Sequence, residues 1–290
     1  MVSREWPLVV FTLLAQVGVG IFLMFVLPLA LSRQGFAGGD TGPVLLRALL
    51  IVFILLTAAA AFSFFHLGNP RNAYRTLSNL KDSWLSREIF SELIFVGTLA
   101  LLIGLEWGDR GDRSIRSWLY ILGGSAGAVL VLSMANIYRL EAVPAWDRAS
   151  TPVSFVLTAL AAGSVGALAL PATGVFGIVG APLPFPGALK ACALVFPGLD
   201  LAAAFFFDPT FGIRKISSPP SPPGQNTFYR TLFTFRLALL ILAVAVLALA
   251  GGGKSIFAPG IGAILAFGAV LASEGIGRTL FYASFRKAGV

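Results

Sequence analysis

Chemistry in this chain rests on very few side chains. One histidine, His66, and one cysteine, Cys192, occur among 290 residues. A single cysteine closes no disulfide within the chain and supplies only one of the four ligands an iron–sulfur cluster usually takes. A single histidine cannot hold a haem between two imidazoles, and a zinc site of the usual His/Cys kind lacks ligands. Electron chemistry here would therefore use redox centres borrowed from another molecule. His66 falls in Phe64-Phe65-His66-Leu67-Gly68-Asn69-Pro70-Arg71, where Gly-Asn-Pro stops a helix and turns the chain. An imidazole there can accept or donate a proton near neutral pH. The plainer reading is a polar residue capping a helix end at a membrane surface.

Carboxylates supply the next candidates. In Ser86-Arg87-Glu88-Ile89-Phe90-Ser91-Glu92, Ser86 is placed to cap a helix. Glu88 and Glu92, four apart, share one helical face. Acids in a first turn also suit the helix dipole, which alone would account for Glu88. Glu92 lies a turn deeper, and an ionisable group inside an apolar segment is a functional candidate by default, although a buried pair with an arginine explains it nearly as well. In Ser273-Glu274-Gly275-Ile276-Gly277-Arg278-Thr279-Leu280-Phe281-Tyr282, Glu274 and Arg278 can pair along a helix, while the glycines permit close packing. Asp200 and Arg236 are further charges inside apolar runs. Most of these read as packing or pairing devices, with Arg278 the best placed to face a site. Tyr138-Arg139-Leu140-Glu141-Ala142-Val143-Pro144-Ala145-Trp146-Asp147 offers a Tyr, an Arg and a Trp. These are ordinary interface anchors, and equally the groups on which a flat aromatic headgroup stacks.

The elements that must position these residues are membrane spans. Hydrophobic residues make up 57% of the chain and charged ones 12%, against about 25% charged in a soluble domain. Apolar runs fall at residues 6–31, 44–65, 89–107, 115–138, 152–170, 185–207, 228–250 and 256–281. Eight runs of this length predict an all-α polytopic membrane protein of about eight transmembrane helices, with two four-helix groups as one way to pack them. The runs are too long and too uniformly apolar for the alternating strands of a β-barrel. The first run exceeds a signal-peptide core and lacks a basic lead, so it reads as a span. The reading is one transmembrane domain over 1–290 with no soluble domain.

Net charge is +8, but the basic residues sit in short loops, so membrane topology and partner docking explain them and nucleic acid does not. An even number of spans puts both termini on one face. That face also carries the longer connections 66–88, 139–151 and 208–227, the last with the stiff Ser/Pro stretch 217–223. It holds thirteen Lys and Arg against six on the other. The positive-inside rule then places the termini in the cytoplasm.

Five stretches, in order along the chain, resemble the dimethyl sulfoxide reductase anchor subunit family. They are Glu5-Trp6-Pro7-Leu8 with Phe11-Thr12 and Gln16; His66-Leu67-Gly68-Asn69-Pro70; Leu85-Ser86-Arg87-Glu88-Ile89; Val143-Pro144-Ala145-Trp146 with Thr151-Pro152; and Gly277-Arg278 with Phe281-Tyr282. The resemblance implies a haem-free, eight-helix anchor in the cytoplasmic (inner) membrane that binds menaquinol or a related quinone. It also implies a four-cluster iron–sulfur subunit as partner and, through it, a molybdopterin catalytic subunit. The family's quinol-site histidine and glutamate map to His66 and Glu88. Asn69, Tyr138, Arg139 and Arg278 are the further candidates for the wall of that site. Such catalytic subunits are expected outside the inner membrane, opposite to the charge count. Either some basic residues dock the partner instead, or this member serves a cytoplasmic molybdoenzyme.

The residues fit the implied role, because quinol oxidation releases two protons beside an electron acceptor and a histidine and a carboxylate can accept them. Two other classes compete. A secondary transporter would want broken helices in inverted repeats and a midplane site, whereas the candidates here lie at helix ends on one face. A purely structural anchor would keep quinol turnover after His66 is changed. The site would also serve a quinone reducer fed by a dehydrogenase.

Overall fold

Hydrocarbon offers backbone amides no partners, so an apolar run that enters it must bond to itself as a helix. The computed structural model of the chain describes residues 6–32, 42–64, 79–108, 112–173, 185–207, 225–250 and 260–284. Eight helices among them are long and apolar enough to cross a membrane. They are α1 (Trp6–Ser32), α2 (Gly42–Phe64), α3 (Trp84–Trp107), α4 (Arg113–Ile137), α5 (Ser150–Thr173), α6 (Pro186–Phe207), α7 (Gln225–Ala250) and α8 (Ile261–Ala283). The described residues contain no strand. The expected all-α membrane architecture is thus observed.

Boundaries moved where caps decide them. α3 starts at Trp84, five residues ahead of the apolar run, because Ser83 in extended conformation accepts a hydrogen bond from the Ser86 amide at 3.3 Å. Ser83 is therefore the cap, and Ser86 lies buried inside the first turn. α8 begins at Ile261; residues 256–259 lie outside the described residues, as do the turn at Gly68-Asn69-Pro70 and the Ser/Pro stretch 217–223.

Packing divides the helices into two groups of four. α1 lies on α2, α2 on α3 and α3 on α4; in the second group α5 lies on α6, α6 on α7 and α7 on α8, with α8 closing back on α5. α1 joins the groups by packing along α5. Glycines make that contact possible. A Cβ placed on Gly20 would lie 2.0 Å from the Ala159 carbonyl oxygen, and one on Gly163 would lie 2.3 Å from the Gly20 carbonyl carbon. The two backbones touch, as small-residue interfaces allow in lipid.

α1 is not regular throughout. Phe22–Val26 forms a π-helical segment between α-helical Trp6–Ile21 and Leu27–Ser32. It carries the fully buried Phe22 and Phe25. Phe22 meets Phe95 of α3 edge-on at 5.2 Å and packs over Gly123 of α4.

Candidate functional site

The end of the bundle formed by the starts of α1, α3, α5 and α7 and the ends of α4 and α8 collects the polar residues of interest. His66 and Asn69 lie outside the described residues. The start of α3 is fixed from outside: the Arg87 guanidinium donates to the Leu80 carbonyl at 2.9 Å and lies 4.2 Å over the Trp84 ring. That leaves the next residue, Glu88, turned inward at 6% exposure, about 6 Å along the helix from its start. Glu92, one turn deeper, has a buried carboxylate oxygen without a hydrogen bond.

Tyr138 caps the C-terminus of α4, and its hydroxyl lies 3.0 Å from that of Tyr282 near the end of α8. Glu88 is within electrostatic reach of both phenols. Aromatic rings frame the pair. Trp146 stacks on Phe281 at 5.3 Å and 18°, and Tyr138 meets Trp146, Phe155 and Phe281 at 5.5, 5.8 and 5.5 Å. The Trp146 indole N–H donates to the Phe281 carbonyl at 2.9 Å, tying the 139–149 connection to α8. The Arg278 guanidinium lies 3.5 Å over the Phe155 ring. Arg139, in contrast, turns to the surface, where it pairs with Asp147 at 3.5 Å with nearly half its side chain exposed.

The structure thus brings Glu88, Tyr138 and Arg278 around one aromatic cluster and sends Arg139 away from it. Tyr282 stood in a quoted motif without a role, and Thr12 had none either. Tyr282 belongs to the cluster through its hydroxyl bond to Tyr138, and Thr12 of α1 lies buried, its hydroxyl turned back on the Leu8 carbonyl at 2.8 Å. A tyrosine near the end of the last span carries no signal of its own; only its spacing from Arg278, four residues, hints at a shared face.

A second polar group sits deeper in α5–α8. Arg236 of α7 donates to Asp200 of α6 at 3.0 Å and lies 3.6 Å from Glu274 of α8. Thr158 of α5 donates to Glu274 at 2.5 Å and accepts from Arg278 at 3.1 Å. Glu274 and Arg278 therefore meet through a threonine on another helix rather than along their own. Asp200 and Arg236, noted in the sequence as charges inside apolar runs, pair with each other. Among the described residues no three His, Cys, Asp or Glu side chains gather as a metal site.

Eight apolar helices long enough to span hydrocarbon, carrying a buried acid, two phenols and a charge network, define a multi-pass membrane protein. The family model described as DMSO reductase anchor subunit (DmsC) matches residues 1–284. The chain is 29% identical over 298 residues to anaerobic dimethyl sulfoxide reductase chain YnfH of Escherichia coli strain K12, covering 99% of this chain and 97% of that one. It is 29% identical over 299 residues to a second anaerobic dimethyl sulfoxide reductase chain of the same organism, with the same coverage. Over 164 residues, 52% of this chain and 50% of the relative, it is 28% identical to a sulfite dehydrogenase subunit of Allochromatium vinosum. The chain belongs to the DMSO reductase anchor subunit family. It is accordingly a membrane anchor of a molybdopterin oxidoreductase, one subunit of a respiratory complex.

Proposed function

We propose that this anchor binds a quinol, menaquinol or a relative, beside Glu88 and passes its two electrons to an iron–sulfur subunit docked on the same face. The observation that carries the reading is the buried, inward-turned Glu88 at the same end of the bundle as a hydroxyl pair, Tyr138 and Tyr282, set in an aromatic frame at the helix ends. A quinol headgroup needs a flat apolar slot, a proton acceptor and hydrogen-bond partners for its two hydroxyls. The cluster supplies flat apolar rings, a carboxyl group and two hydroxyls. His66, by its place in the sequence just past α2, is the second proton acceptor, and Asn69 and Arg139 belong to the rim.

The chain's own residues handle protons and position. Glu88, if ionised, accepts a quinol proton as a general base. The aromatic rings exclude water from the headgroup, and Arg278, held over Phe155, stiffens the wall. The electrons leave to the partner's cluster, which belongs in a four-cluster subunit bearing the molybdopterin catalytic subunit. The isoprenoid tail leaves sideways between apolar helices into lipid.

The test uses one assembled preparation and two electron donors. Glu88→Gln keeps shape and removes the anionic acceptor. Quinol-linked turnover is expected to fall roughly 10²–10⁴-fold, the usual cost of losing a general base, while reduction driven by an artificial dye stays intact. His66→Phe is expected to act in the same direction and to weaken a quinol-site inhibitor. Near-normal quinol turnover in both variants would place the site elsewhere.

A further inference from the structure

Between α5, α6, α7 and α8 lies a cavity of about 180 Å³ whose wall includes Ser154, Thr158, Asp200, Arg236, Glu274 and Arg278. Its outer end is formed by Arg148, Ser150 and Tyr229, at the face where Glu88 and Tyr138 also lie. Its inner end reaches Glu274, nine residues from the end of α8, or about 13 Å into the membrane. Hydrocarbon makes such a cavity costly unless water enters it, and ionisable groups at that depth, although they can pair as braces, also mark ion and proton routes.

Three features point the same way. Glu274 and Arg278 are 1% and 3% exposed, yet Glu274 Oε1 and Arg278 Nε have no hydrogen-bond partner. A brace built only for stability would close those valences. Glu274, Arg278 and Tyr282 fall at every fourth residue of α8, so one stripe runs from the cavity floor to the Tyr138–Tyr282 hydroxyl pair. Lastly, the carboxyl groups of Asp200 and Glu274 converge on one nitrogen of Arg236, at 3.0 and 3.6 Å.

That carboxyl pair has two balanced states. With both groups ionised, Arg236 and Arg278 offset the two negative charges. With one proton added, the repulsion between two carboxylates held on one guanidinium nitrogen is relieved. We propose that the cavity is a water-filled proton exit and that Asp200 and Glu274 are its proton-loading pair. This rests on quinol oxidation at Glu88. Each quinol gives two electrons to the partner's iron–sulfur clusters, one after another, and two protons to the anchor. The protons pass from Glu88 through the Tyr138–Tyr282 hydroxyls to cavity water and the carboxyl pair. They then leave past Arg148 and Tyr229, and the quinone departs into lipid. The charged and titratable groups facing the pair are Arg236 from α7 and Arg278 from α8, with Arg148 and Tyr229 at the mouth.

Glu274→Gln in the assembled complex tests the route. Quinol-linked turnover is expected to fall about 10²-fold, the low end for a lost proton-transfer group, with assembly and dye-linked turnover kept. The solvent deuterium isotope effect should grow, and a small permeant weak acid should restore part of the rate. Thr158→Val, which keeps all four charges, should slow turnover in the same sense and serves if Glu274→Gln fails to assemble. A slowed complex that weak acid does not rescue would make the network a brace and overturn the proposal. Normal turnover in Glu274→Gln beside slow turnover in Glu88→Gln would overturn the exit alone, whereas normal turnover in both overturns the quinol reading itself. Independently of turnover, Ser154→Cys in a Cys192→Ala background should react with a membrane-impermeant maleimide, and no reaction would show that the cavity is closed to water.

Discussion

The two four-helix groups bury different things. The core of α1–α4 is mostly apolar and large-grained, with Phe22, Phe25, Phe95, Leu99, Leu102 and Met134 all without exposed surface; its ion pair, Glu106 with Arg116 at 3.4 Å, sits where α3 ends and α4 begins. The core of α5–α8 includes Asp200, Glu274 and Arg278 at 1–3% exposure, with Arg236 between them. In lipid, apolar side chains gain little from leaving a solvent as apolar as themselves, so the first group coheres by close packing. The second coheres by charge pairing, which demands fixed positions and leaves room for water. The difference teaches that one half serves as a rigid wall and the other as a polar interior, with Glu88 and the tyrosines at the seam.

The comparison breaks most readily at Arg236. Arg236→Leu leaves Asp200 and Glu274 facing each other beside Arg278 alone, and removing one partner of a buried ion group costs about 3–5 kcal/mol. The expected outcome is a large loss of thermal stability in detergent. Arg236→Lys keeps the positive charge and should recover part of the loss. A Leu99→Ala change in the first group should cost about 2–5 kcal/mol through its cavity, with no charge involved. Melting curves of the three variants separate the two cores.

Smaller effects sharpen the seam. Gly163→Val drives methyl groups into the Gly20 backbone; overpacking of this kind costs about 1–3 kcal/mol, and more where neither backbone can yield. Lowered melting temperature should accompany it. Trp146→Phe keeps the ring against Phe281 but leaves the Phe281 carbonyl without its indole donor, for about 1 kcal/mol. Its clearer readout is faster proteolysis within residues 139–149, which the indole holds to α8. Gly97→Ala is the control for size alone. A Cβ there meets nothing within 4 Å, so the change should stabilise α3 by roughly 0.5–1 kcal/mol, and a loss of stability would show an unseen neighbour.

Number and type of helices were legible in the sequence because each span is a long apolar run and hydrocarbon leaves the backbone one option. Their ends were less so. The start of α3 hides behind Trp84, Leu85 and Arg87, an interfacial mixture that reads as loop until Ser83 is seen to cap it. The seam was not legible at all: Gly20 and Gly163 sit in runs crowded with small residues, and nothing marks which two will touch. Within the candidate site, Glu88, Tyr138 and Arg278 stood out by type and place. Thr158 did not, since a threonine in a span normally bonds back to its own helix; here the Ser154 carbonyl at 2.9 Å competes with Glu274 for the one hydroxyl proton. The Glu274–Arg278 spacing suggested a pair along one helix, and a third residue from another helix took over the connection.

The π-helical segment Phe22–Val26 of α1 is also a record of chain length. A π-turn holds one residue more than the α-turn it replaces, so the first span carries a surplus residue at that place. Removing any other residue from a span rotates everything beyond it by about 100° and turns a buried stripe toward lipid. Removing one residue from within Phe22–Val26 should instead convert the segment to α-helix and leave Gly20 on its side of the bundle and Leu29 on its own. Homologues aligned through α1 should therefore show their single-residue gaps there, and α1 should tolerate a deletion at that one point along its length.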